Sequence, residues 1–546
     1  MQSPRYIEKS KIYQRTVFKT AKLTEYIESG KGAILLKFPF DNETLNFVRS
    51  IKDRQYNKEK NYWTCPLLKE TIEKLKSFGF KLDEQLEDYI YKPINLYPDI
   101  KQIEIPGLKG ILRPFQNIGV AITDKLNGNA LIADEQGLGK TVESLSYLQL
   151  HPEHRPVIIV APSCVKLKWA KEAHDWLVRA KVQILSGETQ AKIYGEIVII
   201  NYDILQYWVK SLQNLNAKVL ICDECHFLKN NLAKRTKSLN KIARGIPHII
   251  GLTGTPIENR PIEIYNIWHL IDPIGCPDYF DFGLKFCDGK FKNNKWDFSG
   301  SSNEKELHNK LVSSIMIRRL KKDVLPELPD KIYSHEPIEL SNLEEYNFAH
   351  EDFIRCVTGQ EKTSIKKIYS KIENLKQLAV MGKLKQSFDW IDNFIETDEK
   401  LVIYAHHKFL VDELMKRYKN IARKIDGSVS AIKREEASEE FYNNPKIKLF
   451  IISEAGGVGI NLTIASHVAI LELPWNKSVL EQIIDRLHRF GQLKCVNIYY
   501  LLAAGTIEEK IANIIDRKYR MTSAIIDGKA VPSEDLLTEL IKQYLN

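Results

Sequence analysis

What the sequence lacks narrows the field first. No apolar run approaches the roughly 20 residues needed to cross a bilayer, so no membrane partner is expected. The opening stretch Met1-Gln-Ser-Pro-Arg-Tyr-Ile-Glu-Lys9 has no apolar secretory segment. Cysteine is sparse, eight in 546 residues, and scattered rather than regularly spaced. That speaks against a disulfide framework and for a reduced, intracellular setting, cytoplasmic or nuclear by host. There is no repeat of fixed period and no low-complexity tract. Charge of one sign is also modest: 79 basic against 70 acidic residues leave +9. Such an excess fits a polyanion partner and an ordinary lysine-rich surface equally well. What is abundant is apolar material, 44% of the chain, enough for several cores. The length implies about three to four domains.

The stretch that organises the rest is Ala130-Leu-Ile-Ala-Asp-Glu-Gln-Gly-Leu-Gly-Lys-Thr141. It reads as a buried strand, a tight glycine turn and a helix start. Gly137 and Gly139 let backbone N–H groups close on phosphate oxygens, and a helix N-terminus adds positive potential. Lys140 is placed to reach the β/γ-phosphates and the Thr141 hydroxyl to ligate Mg²⁺. Glu135, Gln136 and Leu138 complete the loop. Asp134 stands where the usual G-x-x-x-x-G-K-[ST] pattern has its first glycine, so a plain βα turn stays open on this motif alone.

Around it the chain alternates short β-branched runs with helix-length segments. Val157–Val160, Ile197–Ile200, Val219–Ile221 and His248–Leu252 predict one parallel sheet covered on both faces. Leu401–Ala405, Leu449–Ser453, Val468–Leu471 and Val496–Leu501 predict a second. Between them Glu304–Ile395 reads as mostly charged, amphipathic helix, with a boundary at Pro326 and Pro329. From Ile507 a helix and a polar tail are expected. Residues 1–100 read as a small α+β unit: a strand at Gly32–Phe38, helices at Asn42–Ile51 and Thr71–Phe78, and a hairpin joining Arg54–Tyr56 to Tyr62–Cys65. There Arg54, Lys58 and Lys60 alternate with Tyr56, Tyr62 and Trp63. The pattern suits bases stacked on aromatics, with Arg54 and Trp63 the first candidates, and it suits cross-strand packing as well.

Further motifs carry chemistry. Val219-Leu-Ile-Cys-Asp-Glu-Cys-His226 ends a strand in adjacent carboxylates, so Asp223 can hold Mg²⁺ while Glu224 orients and deprotonates water. The same residues spell the C-x-x-C-H of haem attachment, but no export signal accompanies it, and no second ligand pair supports zinc. The Gln116 amide offers the donor–acceptor pair that matches an adenine edge. Thr253 and Thr255, in Leu252-Thr-Gly-Thr-Pro256, offer hydroxyls to sense a γ-phosphate. Ser453 to Asn461 is a second glycine-rich turn. In Gln482-Ile-Ile-Asp-Arg-Leu-His-Arg-Phe-Gly-Gln492, Arg486 and Arg489 share a helix face, which suits a spread phosphoryl charge.

The ordered set resembles the Swi/Snf family of superfamily-two helicase-like ATPases. Its carriers are Phe115-Gln116, Asp134 to Thr141, Asp223 to His226, Thr253 to Pro256, Arg318 to Leu325 with Leu328-Pro329, the Gly456 segment and Gln482 to Gln492. Asp134 in the loop is the family's own pattern. The resemblance implies an α/β fold of two tandem RecA-like, doubly wound lobes, 101–330 and 331–546, behind the accessory 1–100. It implies ATP and Mg²⁺ between the lobes, with Arg486 and Arg489 reaching in trans as arginine fingers and Gly457 and Gly459 joining the ATP site. It gives coupling roles to His226, Thr253, Thr255 and Gln482. Ser163, Lys166, Lys168, Asn201 and Tyr202 match segments that touch the DNA backbone. The segment around Arg54 and Trp63 resembles the HARP domain of annealing helicases. The expected function is a DNA-dependent ATPase and translocase on duplex, forked or partly single-stranded DNA. Clearing proteins from duplex is the alternative enzyme reading, and a non-catalytic DNA scaffold a third.

Overall fold

The computed structural model describes residues 19–25, 32–39, 41–52, 54–58, 60, 62–66, 69–83, 86, 100–292, 294–358, 365–453, 460–474 and 477–514. The chain divides into two compact units, Met1–Leu96 and Tyr97–Asn546.

In the first unit, β1 (Thr20–Glu25), β2 (Gly32–Lys37), β3 (Gln55–Asn57), β4 (Tyr62–Pro66) and β5 (Lys81–Leu82) form one sheet. Its order is β3-β4-β2-β1-β5, antiparallel except for β1 beside β5. Helices Asn42–Ser50 and Lys69–Ser77 lend Val48, Ile72 and Leu75 to a core with Ile34, Leu36 and Cys65. Asp41 caps the first helix, its carboxylate accepting from the Thr44 N–H at 2.7 Å. The expected hairpin is β3–β4. Its register sets Tyr56 opposite Trp63 with ring centroids 4.9 Å apart, so these aromatics are a cross-strand packing pair.

The second unit holds two sheets. The first comprises β6 (Ala130–Ile132), β7 (Val157–Ala161), β8 (Val182–Ile184), β9 (Ile197–Asn201), β10 (Val219–Asp223) and β11 (His248–Leu252). After a separate hairpin, β12 (Lys290–Lys292) with β13 (Lys295–Asp297), β14 (Met316–Ile317) completes it. The order is β14-β6-β11-β10-β7-β9-β8, parallel throughout. The second comprises β15 (Lys331–Ile338), β16 (Leu401–Tyr404), β17 (Ala422–Ile425), β18 (Leu449–Ile452), β19 (His467–Ile470) and β20 (Val496–Ala503). It is ordered β15-β20-β19-β16-β18-β17, again parallel.

Each sheet separates two cores. Ile158 and Val160 belong to one, Val157, Ile159 and Ala161 to the other, because successive side chains leave a strand on opposite faces. Val402 and Tyr404 divide from Leu401 and Ile403 in the same way. Burial on both faces is why these runs read as continuously apolar, and each such side chain is worth about 1.5–3 kcal/mol. The fold is therefore α/β, two doubly wound parallel sheets with a small α+β unit ahead of them.

Residues 304–395 are mostly helical around the proline boundary, with one strand among the helices. Helices Glu304–Ser314, Leu343–Val357 and Ile365–Ile395 are present, but Lys331–Ile338 is strand β15, paired with β20 along its whole length. It is an edge strand, so Pro337 is tolerated. The polar tail expected at the carboxyl end lies outside the described residues from 515 on. Among the described residues no helix is long and apolar enough to cross a membrane.

Candidate active site

The site begins where β6 ends. Because β11 and β10 lie between β6 and β7, the loops after β6, β10 and β11 open side by side at the carboxyl edge of the sheet. Gly137 and Gly139 adopt left-handed φ of +88° and +93°. Gly139 is the N-cap of helix Lys140–Leu150, and a Cβ there would lie 2.3 Å from Gln116 Nε2, so both conformation and space require glycine. Gly137, Gly139, Lys140 and Thr141 line one cavity at that helix N-terminus. Lys140 Nζ donates to the carbonyls of Asp134 (2.9 Å) and Glu135 (3.4 Å) and to Gln136 Oε1 (3.5 Å). Burial lowers its pKa, opposed by Glu224, Asp134 and Asp223.

Asp223 and Glu224 face the same cavity. Asp223 Oδ2 accepts from Trp169 Nε1 at 2.8 Å and Oδ1 from the Glu224 N–H at 3.0 Å, while the Tyr202 hydroxyl donates to the Asp223 carbonyl at 2.7 Å. Burial, then the charge of Glu224, push the Asp223 carboxyl up to about 6. Glu224 has a left-handed φ of +49°, a strained conformation of the kind that collects at functional sites. Burial alone would raise its pKa, but the His226 hydrogen bond and charge, with Lys140 and Arg486, hold it at about 2. His226 Nδ1 lies 3.3 Å from Glu224 Oε2 and 3.0 Å from Thr253 Oγ1, which in turn accepts from the Thr255 N–H at 3.1 Å. The Asp223 carboxylate and the Thr141 hydroxyl are hard oxygen donors on one wall. A divalent cation there would relieve the desolvation and like charge that Asp223 bears, so the donor set fits Mg²⁺.

The second sheet contributes through helix Lys477–Leu487 and the turn after it. Arg486 and Arg489 line the cavity that holds Lys140, Asp223 and Glu224. The loop and the arginines are close: a Cβ on Gly137 would lie 3.1 Å from Arg489 Cβ. Burial and the charge of Arg486 lower the Arg489 pKa.

Other expected residues sit elsewhere. Asp134 is fully buried and faces Arg319: Oδ1 accepts from the Arg319 N–H (2.9 Å) and Nε (3.0 Å), and Oδ2 pairs with the guanidinium. Arg319 also holds Glu143 at 2.6 Å. The Asp134 carboxylate thus answers a buried cation and does not face the cavity. Gln116 Oε1 accepts from the Arg113 N–H (3.0 Å), and its Nε2 donates to the Leu138 carbonyl (2.9 Å), so the amide braces the loop. Glu135 Oε2 accepts from the Lys321 N–H at 2.7 Å. Leu138 is buried. Gln482 lies one turn before Arg486 on its helix.

Two of the DNA candidates are corrected by burial. Asn201 and Tyr202 are buried; Asn201 accepts from Lys166 Nζ (2.9 Å), and Tyr202 supports Asp223. Lys168 is exposed and also lines the cavity beside Trp169 and Glu172. Ser163 is exposed, as is Arg54, whose Nη1 donates to the Ile51 carbonyl at 2.9 Å. Gly457 and Gly459 lie outside the described residues. Sequence reasoning missed Trp169 and Glu172, which follow the carboxyl end of β7, and it gave no site role to Arg319 and Lys321, although both lie in the Arg318 to Leu325 motif.

Residues 43–387 match the family model of the SNF2-related domain, and residues 357–491 that of the helicase conserved C-terminal domain. The Homo sapiens protein "DNA annealing helicase and endonuclease ZRANB3" is 30% identical over 442 residues, 77% of this chain and 41% of that protein. The Xenopus laevis "SWI/SNF-related matrix-associated actin-dependent regulator of chromatin subfamily A-like protein 1" is 34% identical over 430 residues, 76% and 44% respectively. This chain therefore spans less than half the length of either relative. Among solved structures, "Sulfolobus solfataricus SWI2/SNF2 ATPase core in complex with dsDNA" is similar at 26% identity, with 78% of this chain and 95% of that chain covered and a TM-score of 0.39.

Proposed function

This chain belongs to the SNF2-related family of helicase-like ATPases, and from that premise we propose that it hydrolyses ATP to move on duplex or branched DNA, with annealing or fork remodelling as the outcome. One observation carries the reading: Lys140, Thr141, Asp223 and Glu224 from one sheet share a cavity with Arg486 and Arg489 from the other. Lys140 and the helix N-terminus bind the phosphates. Thr141 and Asp223 would hold Mg²⁺, which when bound supplies positive charge against the phosphates. Glu224, steadied by His226, orients and deprotonates the attacking water. Arg486 and Arg489 stabilise the charge of the transition state, a contribution of roughly 10³–10⁵ in rate. His226 and Thr253 relay the state of Glu224 to the loop after β11.

In this reading 101–330 and 331–546 are the two lobes, and 1–100 is an accessory DNA-binding unit that uses Arg54 and the exposed edges of Tyr56 and Trp63. Ser163, Lys166 and Lys168 remain proposed contacts to the DNA backbone. The annealing assignment draws on the printed name of the Homo sapiens relative; fork remodelling is part of the same proposal.

The test is the ATPase rate on single-stranded, duplex and forked DNA, with wild type, Lys140→Ala and a chain lacking residues 1–100. DNA-stimulated turnover is expected in wild type and is abolished in Lys140→Ala. The deletion should weaken forked-DNA stimulation more than duplex stimulation. Wild-type turnover indifferent to DNA, or a fully active Lys140→Ala, would overturn the reading.

A further inference from the structure

Residues 318–331 run from the last strand of the first sheet to the first strand of the second, and Lys321 in their midst touches both sides. Its N–H donates to Glu135 Oε2 on the phosphate loop at 2.7 Å. Its Cε lies 3.6 Å from where a Cβ on Gly137 would sit. Its Nζ donates to Asp485 Oδ1 (2.8 Å) and to the His488 carbonyl (2.5 Å) on the other lobe. The side chain is 3% exposed, so the ammonium is removed from water and depends on these two partners. Asp485 and His488 bracket Arg486 and immediately precede Arg489. Holding the carboxylate of one and the carbonyl of the other therefore fixes the single turn that carries both guanidiniums. Lys331 Nζ shares Asp485 at 3.0 Å, and His488 Nε2 donates to the Pro329 carbonyl at 2.6 Å, so the segment's far end grips the same turn.

We infer that Lys321 is a positioning residue for ATP hydrolysis, latching the turn that bears Arg486 and Arg489 onto the phosphate loop. The inference rests on the reading of the cavity as an ATPase site. Lys321 does not face the reacting atoms; it sets the distance between the groups that do. Because it is anchored on the loop, a shift of Glu135 or Gly137 on nucleotide binding is passed directly to the arginines. A merely structural ion pair between lobes would alter stability without this selective effect on turnover.

The experiment uses the full chain with saturating duplex DNA. Lys321→Met keeps length and removes the ammonium; Asp485→Asn keeps shape and removes the charge. ATPase kcat and KM are measured with binding of a fluorescent ATP analogue. A displacement near an ångström lowers kcat by about 10²-fold, and ATP affinity should stay within about threefold. The double variant should be no worse than Asp485→Asn alone, because that variant already breaks the Lys321 contact along with the one to Lys331. Lys321→Arg should recover part of the loss. A kcat within about twofold of wild type in Asp485→Asn, or losses that multiply in the double variant, overturn the latch. Should Lys321→Met fail to fold, Asp485→Asn and Lys321→Arg decide alone. Wild type that hydrolyses no ATP defeats the parent reading instead, so the two failures are distinguishable.

Discussion

The two sheets enter the cavity on different terms. The first brings groups already held in place: Asp223 between Trp169 and the Glu224 N–H, Lys140 folded on its loop, Asp134 locked to Arg319. The second brings two guanidiniums at the end of one helix, on a turn held both by its own lobe and by contacts that reach across to residues 318–331. One half of the cavity is thus held within its own sheet, and the other also leans on the segment between the sheets. In the proposed reading, binding belongs to the first half and rate to the contact between them.

The sharpest way to break that contrast is Arg489→Ala. It should lower kcat by roughly 10³-fold or more and leave ATP affinity almost untouched, checked by single-turnover hydrolysis beside equilibrium binding. If affinity and rate fall together, the halves are not distinct. Glu224→Gln tests the first half's own chemistry. It should bind ATP normally and turn over about 10²–10⁴-fold more slowly; lost binding would move Glu224 out of the hydrolytic step. Trp169→Phe removes one N–H from Asp223. The Mg²⁺ concentration for half-maximal ATPase should rise about 10-fold or more, as for other residues that orient a metal ligand. An unchanged Mg²⁺ dependence would show that Asp223 needs no such support.

Smaller effects sharpen the edges. Asp134→Ala should cost about 3–5 kcal/mol of stability, because Arg319 loses a buried partner, and yet leave KM for ATP alone. A raised KM with normal melting would return Asp134 to the nucleotide site. Asp485 supplies a pH test. Burial alone would raise its pKa, but Lys321 and Lys331 hold it at about 2 in the folded protein. A lowered carboxyl stabilises above its unfolded value near 3.9 and loses that benefit as pH falls toward 2. Acid melts should show a loss of about 2–3 kcal/mol over that window in wild type and not in Asp485→Asn.

How far the sequence could be read follows the same division. The strands that form the middle of both sheets were legible because burial on two faces leaves unbroken β-branched runs. β8, β15 and β17 were not, being edge or near-edge strands with mixed polar residues whose identity comes from a partner ladder. The phosphate loop and the carboxylate pair were legible because their chemistry is local. The placement of Asn201 and Tyr202 was not: polar residues after a strand read as surface, yet these two turn inward to support Lys166 and Asp223. Lys321 fell inside the Arg318 to Leu325 motif, but its role was not legible, because its partners Asp485 and His488 lie 164 and 167 residues on.

The brace formed by Gln116 has a consequence of its own. Both ends of its amide are occupied, by the Arg113 N–H and the Leu138 carbonyl. Anything that draws the side chain away must displace a backbone group at each end, and a molecule that leaves it alone leaves the prop under the glycine turn in place. Movement of this one amide and support of the turn are therefore the same event.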